Sequence, residues 1–380
     1  MIGDGYGEVR GQGDGPEIAG GYGEVDVPAG IQQALTAFLD RQEARLTAIG
    51  PELAEQVQVA RDATSGGKRL RPSFCYWGFR AAGGDPTGAL GEPIMNAAAS
   101  LEMLHVSALM HDDVMDSSDV RRGAPAAHRR FEAMQRERSA RTGHGADPAG
   151  FGVGAAILLG DLCLIWADEL LHTSGFDATA LARASQYFDA VRVEVTAGQY
   201  LDLLAQASGE SDMDLALRVL RYKSATYTIE RPLHIGAALG GGDERLIAAL
   251  SGYGLPLGEA FQLRDDLLGV FGDPAVTGKP AGDDLREGKR TVLIAYAVDH
   301  ASPAQLTEFD RLFGRQDLDA DEIQLLREIL QDSRAVQACE DLITERTEDA
   351  LYALDLAPLA DEVTRKALTD LAVAATSRVV

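Results

Sequence analysis

Residues 97–116, AAASLEMLHVSALMHDDVMD, are apolar or small at nearly every early position and then end in three carboxylates, Asp112, Asp113 and Asp116. A helix with this pattern must be enclosed on most sides, so the chain has to pack other elements around it. Residues four apart share a helical face, so Asp112 and Asp116 point the same way. Carboxylates at the C-terminal end of a buried helix are repelled by its dipole and costly to desolvate. A cation should compensate them. Hard oxygen ligands favour Mg2+, which is held by a few carboxylates together with substrate phosphates. Taken alone, the same DDxxD also reads as a solvated acidic turn.

Apolar residues recur with helical spacing from Ile31 onward. The expected helices cover about 30–48, 51–63, 70–83, 92–116, 154–173, 178–207, 213–239, 243–272, 286–300, 303–313, 320–331, 333–354 and 358–377. Between them lie breaks such as GGDP at 83–86 and GGGD at 240–243. No convincing alternating strand pattern appears. The expected fold class is all-α: a single large helical bundle over 30–380, with one continuous core and a central apolar cavity. Residues 1–29 are Gly-rich and repeat GYGEV, and are expected to be a disordered tail without a catalytic role. The polar stretch 132–150 is expected to be an exposed loop or a loosely attached helix.

A formal net charge of −24 argues against nucleic acid and anionic membranes as partners. An anionic substrate must therefore be met by local Lys/Arg clusters or by metal ions. No run reaches the roughly 18 apolar residues of a membrane span, and no basic-then-apolar leader opens the sequence. Cys75, Cys163 and Cys339 lie far apart in apolar stretches and read as reduced core residues. A cytoplasmic protein is expected.

Such cationic clusters are present. GGKRLRP at 66–72 places three cations behind two glycines that allow close backbone approach to a ligand. DVRRG at 119–123 places two arginines just beyond the three aspartates. A second acidic helix end follows in FQLRDDLLG at 261–269, with Asp273 beyond it. It is flanked by GKP at 278–280, Asp283-Asp284 and GKRT at 288–291. Lys and Arg in such settings supply point charges and forked donors for phosphate oxygens. Each stretch alone also reads as an ordinary helix start or a salt-bridge partner. Two acid-rich helix ends, each beside Gly/Lys/Arg loops, suggest opposed metal sites holding a diphosphate above a hydrophobic cavity.

GGKRLRP, LHxxxLMHDDxxD, RRG, GQxxDL, KSAxYT, FQxxDD and GKPxGDDLxEGK occur here in one order, from about Ile31 to the 360s. In this the chain resembles the trans-isoprenyl diphosphate synthases, nearest to those making geranylgeranyl diphosphate. The resemblance implies a Mg2+-dependent homodimer that condenses isopentenyl diphosphate with dimethylallyl, geranyl or farnesyl diphosphate. It implies a first metal site at Asp112 and Asp116 with Asp113 in support, and a second at Asp265 with Asp266. Lys68, Arg71, His105 and Arg122 match residues on isopentenyl diphosphate. Arg121 matches the arginine on the allylic diphosphate, and Lys223, Lys279 and Lys289 match lysines that neutralise it as it leaves. Ser224 stands where Thr is usual. Gln199, Asp202 and Gln262 match polar residues lining the reaction centre. One departure stands out: the family's second motif is commonly DDxxD, but here its fifth position is Gly269. A full three-carboxylate second site is therefore not expected, and Asp265 is expected to hold one metal.

These residue types suit ionisation of an allylic C–O bond, which creates a carbocation and a diphosphate anion that metal ions and lysines stabilise without a nucleophile. The growing tail must run down the helix from Asp112. At about 1.5 Å per residue, positions four and five before it lie roughly 6 to 8 Å below the metals. In the resembling family a bulky aromatic there stops growth at farnesyl length. Here they are Ala108 and Ser107, so a deeper floor at Leu104 or beyond, and a geranylgeranyl product, are expected. Longer polyprenyl or farnesyl products, a class I terpene cyclase and a non-catalytic partner subunit are the competing readings. A Ca2+ module fits least, because DDVMDSSD lacks the Gly and terminal Glu of an EF-hand.

Overall fold

The computed structural model describes residues 25–121, 123–145, 147–273 and 282–376. Its helices begin with α1 Val27–Thr47, α2 Ala54–Ala63, α3 Leu70–Ala81, α4 Gly91–Met115, α5 Ala127–Thr142, α6 Pro148–His172 and α7 Ala178–Ser208. There follow α8 Met213–Val219, a π-helix Leu220–Glu230, α9 Arg231–Leu239, α10 Glu244–Phe271, α11 Asp283–Glu287 and α12 Val292–His300. The last four are α13 Pro303–Leu312, α14 Ala320–Asp332, α15 Ala335–Leu356 and α16 Glu362–Thr376. Among the described residues the only strands are β1 Val120–Arg121 and β2 Ala124–Pro125, an antiparallel pair. The all-α expectation holds. Aspartates start several helices: Asp26, Asp177, Asp243 and Asp319 each accept a first-turn backbone N–H.

Helix α4 is the axis of the bundle, packed by α1, α3, α6 and α9. Ala97, Ala98, Ala99, Leu101, Met103 and Val106 are fully buried along it. The alanines keep it thin enough for neighbours on every side.

Several sequence expectations are corrected. Within the stretch 132–150, residues 132–142 are helical and firmly held: they belong to α5, which packs on α6, buries Phe131 and is tied to α2 by Arg130–Asp62 at 2.6 Å. The expected helix 213–239 is divided by the π-helix, a register that apolar periodicity does not reveal. The expected helix 286–300 is broken at Gly288, whose φ of 72° is left-handed, so GKRT is a loop. The core is not continuous but forms two clusters that meet along α10. Tyr253 and Leu257 belong to the larger, and Ala260, Leu263 and Leu267 to the C-terminal one.

Helix α6 is long and apolar enough to cross a membrane by length and composition alone, contrary to the sequence expectation. It packs against α4 and α5. The expected Gly-rich tail lies outside the described residues up to residue 24, and helix begins at Val27.

The GGKRLRP segment is anchored by its middle cation. Arg69 adopts a φ of 50°, and its guanidinium is buried on Glu102 of α4 at 2.5 Å, with the two side chains 3% and 5% exposed. Lys68 and Arg71 flank it on more exposed positions. Removing one partner of a buried ion pair strands the other charge, at a cost of roughly 3–5 kcal/mol. Glu102→Ala should therefore lower the denaturant midpoint severely, and the double change Arg69→Met, Glu102→Leu should recover most of it. Equal midpoints for wild type and Glu102→Ala would remove this account of the segment's anchoring.

Candidate active site

The first acidic end is shaped by how α4 stops. Ser117 takes a left-handed φ of 55°, ending the helix, and Gly123 at φ 73° turns the chain back through β1 and β2. This return aims Arg121 at α4. Its Nε donates to Asp113 Oδ1 at 2.8 Å, and its Nη2 lies 3.5 Å from Asp112 Oδ2. Asp113 thus faces Arg121, while Asp112 and Asp116 share the other face.

The π-helix delivers Lys223. A Cβ on Gly198 of α7 would collide with the Lys223 backbone N, and one on Gly258 of α10 would lie 2.6 Å from the Ala225 carbonyl oxygen. Bare glycine backbone on both sides admits the wider π turn. Lys223 Nζ then donates to Asp202 Oδ2 at 2.6 Å and to Asp112 Oδ1 at 3.3 Å. Ser224 is half-buried beside it, and Gln199 Nε2 lies 3.8 Å from Met115 Sδ.

On α10, Asp265 is exposed and Asp266 is buried, accepting from Gln262 Nε2 at 2.8 Å. Lys289 stands between the acidic end of α4 and the carboxylates of α11. Its ammonium lies 3.8 Å from Asp116, 3.1 Å from Asp284 and 2.5 Å from Glu287. Glu287 also accepts from Ser118 Oγ at 2.9 Å. Glu287 and Asp284 were not singled out as site residues from sequence, although both stand inside the quoted GDDLxEGK. Arg122 and Lys279 lie outside the described residues.

A second polar group lines the side nearer α3. Arg71 stacks over the Tyr227 ring at 4.2 Å and donates to Thr228 Oγ1 at 2.9 Å, and His105 Nδ1 lies 3.0 Å from the Tyr227 hydroxyl. Tyr227 and Thr228 are additions to the sequence reading. Their signal was the quoted KSAxYT, read there only for its Lys and Ser. Ala108 is half-buried on the Asp112 face one turn earlier, and Ser107 and Leu104 are buried.

The charges are strongly coupled. Burial opposes charge on Asp112, but Lys223, Lys289 and Arg121 together hold its carboxyl low, at about 2. Burial and then the Asp112 charge push Asp116 up to about 7. Burial likewise pushes Asp266 to about 8, against the hydrogen bond from Gln262. Lys223 and Lys289 are held protonated by the acids around them despite burial.

These donors fit a hard divalent cation. The Asp116 side chain is 2% exposed and neither of its buried oxygens accepts a hydrogen bond. Such an acid is stabilised by a cation placed against it. Among the described residues no three His, Cys, Asp or Glu already close around a metal.

Carboxylates at the end of apolar α4 are thus joined by lysines from the π-helix and from the loop after α11. Comparison with known proteins gives the family. The sequence model of the polyprenyl synthetase family matches residues 54–330. A geranylfarnesyl diphosphate synthase of Aeropyrum pernix is 32% identical over 307 residues, 80% of this chain and 88% of that protein. A geranylgeranyl diphosphate synthase of Mycobacterium tuberculosis is 33% identical over 296 residues, 77% of this chain and 76% of that protein. The crystal structure of geranylgeranyl pyrophosphate synthase from Corynebacterium glutamicum, complexed with isoprenyl diphosphate and magnesium, superposes with a TM-score of 0.87. It is 44% identical and covers 93% of this chain and 98% of its own. The chain belongs to the polyprenyl synthetase family and is a trans-prenyltransferase.

The raised Asp116 carboxyl has a consequence for stability. Folded, it keeps its proton to about pH 7; unfolded, a carboxyl releases it near pH 4. Metal-free stability should therefore fall as pH rises between those values and level off above the folded value. Asp116→Asn should flatten the curve of melting temperature against pH in EDTA, and should melt above wild type at pH 8. Some slope should remain from Asp266. A wild-type curve rising over this window would contradict the assignment.

Proposed function

We propose that the protein is a Mg2+-dependent geranylgeranyl diphosphate synthase. It adds isopentenyl diphosphate head-to-tail to dimethylallyl, geranyl or farnesyl diphosphate. The observation that carries this reading is that two buried lysines reach the acidic end of α4 from other elements, Lys223 lying between Asp112 and Asp202 and Lys289 between Asp116 and Asp284. These ammonium groups neutralise acids until a metal–diphosphate arrives, and then turn to its oxygens.

In this reading Asp112 and Asp116, together with Asp265, would hold Mg2+, which when bound would supply electrostatic stabilisation of the departing diphosphate. Asp113 orients Arg121 toward the same diphosphate. Lys223 and Lys289, with Arg121, meet the charge that develops as the allylic C–O bond breaks. Arg71, His105 and Lys68 hold isopentenyl diphosphate so that its alkene faces the allylic carbon. The buried Arg71 Nε, which donates to no partner among the described residues, suits a phosphate oxygen. The new C–C bond forms as the alkene attacks the cation, and loss of a proton restores the double bond. Small Ala108 and Ser107 leave the tail room past farnesyl length. The geranylgeranyl names of relatives in Mycobacterium tuberculosis and Corynebacterium glutamicum support this chain length.

The protein is further proposed to work in the cytoplasm as a homodimer. Its three cysteines are buried and unpaired, as suits a reducing compartment. Phe151, Leu158 and Ile165, seven apart on α6, are 41%, 61% and 61% exposed, and Val193 and Tyr200 on α7 are 69% and 67% exposed. An apolar face of this kind suits a second copy.

Purified protein with Mg2+, isopentenyl diphosphate and each allylic starter should yield geranylgeraniol after dephosphorylation. Ala108→Phe should shift the product to farnesol. Absence of any condensation would sink the reading, while an unchanged product from Ala108→Phe would sink only the account of the floor. In analytical ultracentrifugation the wild type should sediment as a dimer and Leu158→Glu with Ile165→Glu as a monomer. Dimers from both would place the interface elsewhere.

A further inference from the structure

Gly269 removes the last carboxylate of the second acidic motif, yet the space it leaves is filled with one. Residues 265 and 269 are four apart and share a face of α10. A Cβ built on Gly269 would run into the carboxylate of Asp284. The Asp284 carboxylate therefore lies over the bare backbone one turn beyond Asp265.

The position is held firmly. Leu285 is fully buried, its carbonyl accepts from Gly314 N at 2.9 Å, and the Asp284 carbonyl accepts from Lys289 N at 3.1 Å. Asp284 Oδ1 accepts from Lys289 Nζ at 3.1 Å. The same ammonium lies 3.8 Å from Asp116, whose buried oxygens accept no hydrogen bond. Asp284 of α11 and Asp116 at the end of α4 thus share one positive charge.

We infer that Asp284 supplies, from α11, the carboxylate that position 269 lacks, and that it faces the divalent cation held with Asp265. This rests on the metal-dependent reading above. The glycine is then the residue that lets a carboxylate from a separate element take the motif's place, because any side chain at 269 would displace it.

The test is Mn2+ binding to the full chain by electron paramagnetic resonance, with and without inorganic pyrophosphate, alongside circular dichroism. Asp284→Asn should raise the Mn2+ concentration for half-saturation roughly 10–100-fold, as loss of a metal-site partner commonly does. Adding Gly269→Asp to Asp284→Asn returns a carboxylate to the same place and should restore most of the affinity. This double variant is measured whether or not the single one folds. Lys289→Met, without pyrophosphate, should tighten Mn2+ binding by removing a competing positive charge. Wild-type affinity in Asp284→Asn would overturn the inference, as would no recovery in the double variant. Equal weakening by Asp284→Asn and Lys289→Met would also overturn it, by reducing Asp284 to a partner of Lys289. No Mn2+ bound by the wild type would overturn the metal-dependent reading itself, and this inference with it.

Discussion

The architecture depends on the repulsion between Asp112 and Asp116, two carboxylates one turn apart at the end of a helix that cannot be solvated. Like charges this close in a partly dry setting do not both ionise without compensation. Without metal, the compensation is cationic: Arg121, Lys223 and Lys289 converge on them from three separate elements. Each of those elements is itself constrained to bring its cation in. The hairpin after α4 needs Ser117 and Gly123 in left-handed conformations, the π-helix needs bare backbone at Gly198 and Gly258, and the Lys289 loop needs Gly288.

The same arrangement accounts for the site's readiness to exchange partners. In the proposed function, lysines held between carboxylates would be available to the oxygens of a metal-bound diphosphate. The two core clusters meet along α10, and the cleft draws its groups from both. Asp112 and Asp116 come from the larger unit, and Leu285 anchors the segment carrying Asp284 and Lys289 in the smaller. Burial of Leu285 and the bond to Gly314 give that segment the rigidity a polar site needs.

Much of the site was legible because its chemistry is dense in charge and glycine. The two acidic ends, GGKRLRP and the lysines could be picked out because charged residues beside long apolar runs have few structural uses. Asp284, Glu287, Tyr227 and Thr228 were harder, since their roles depend on which neighbour they reach. Asp113 shows the same limit: spacing put it beside Asp112 and Asp116, but only the hairpin decides that it meets Arg121. Whether α5 was a loop or a loosely attached helix could not be read from sequence because its exposed face is almost wholly polar, with only Phe131 and a few neighbours turned inward.

By itself the sequence determined the all-helical class, the axial helix with its acidic end, and the family chemistry, because periodicity and charged motifs are local properties. Tertiary structure alone decided the π register around Lys223, the division of the core, the pairing of Asp113 with Arg121, and the presence of the Asp284 carboxylate over Gly269. Each of those follows from the approach of two segments distant in the chain, and distances of that kind are set by packing rather than by residue type.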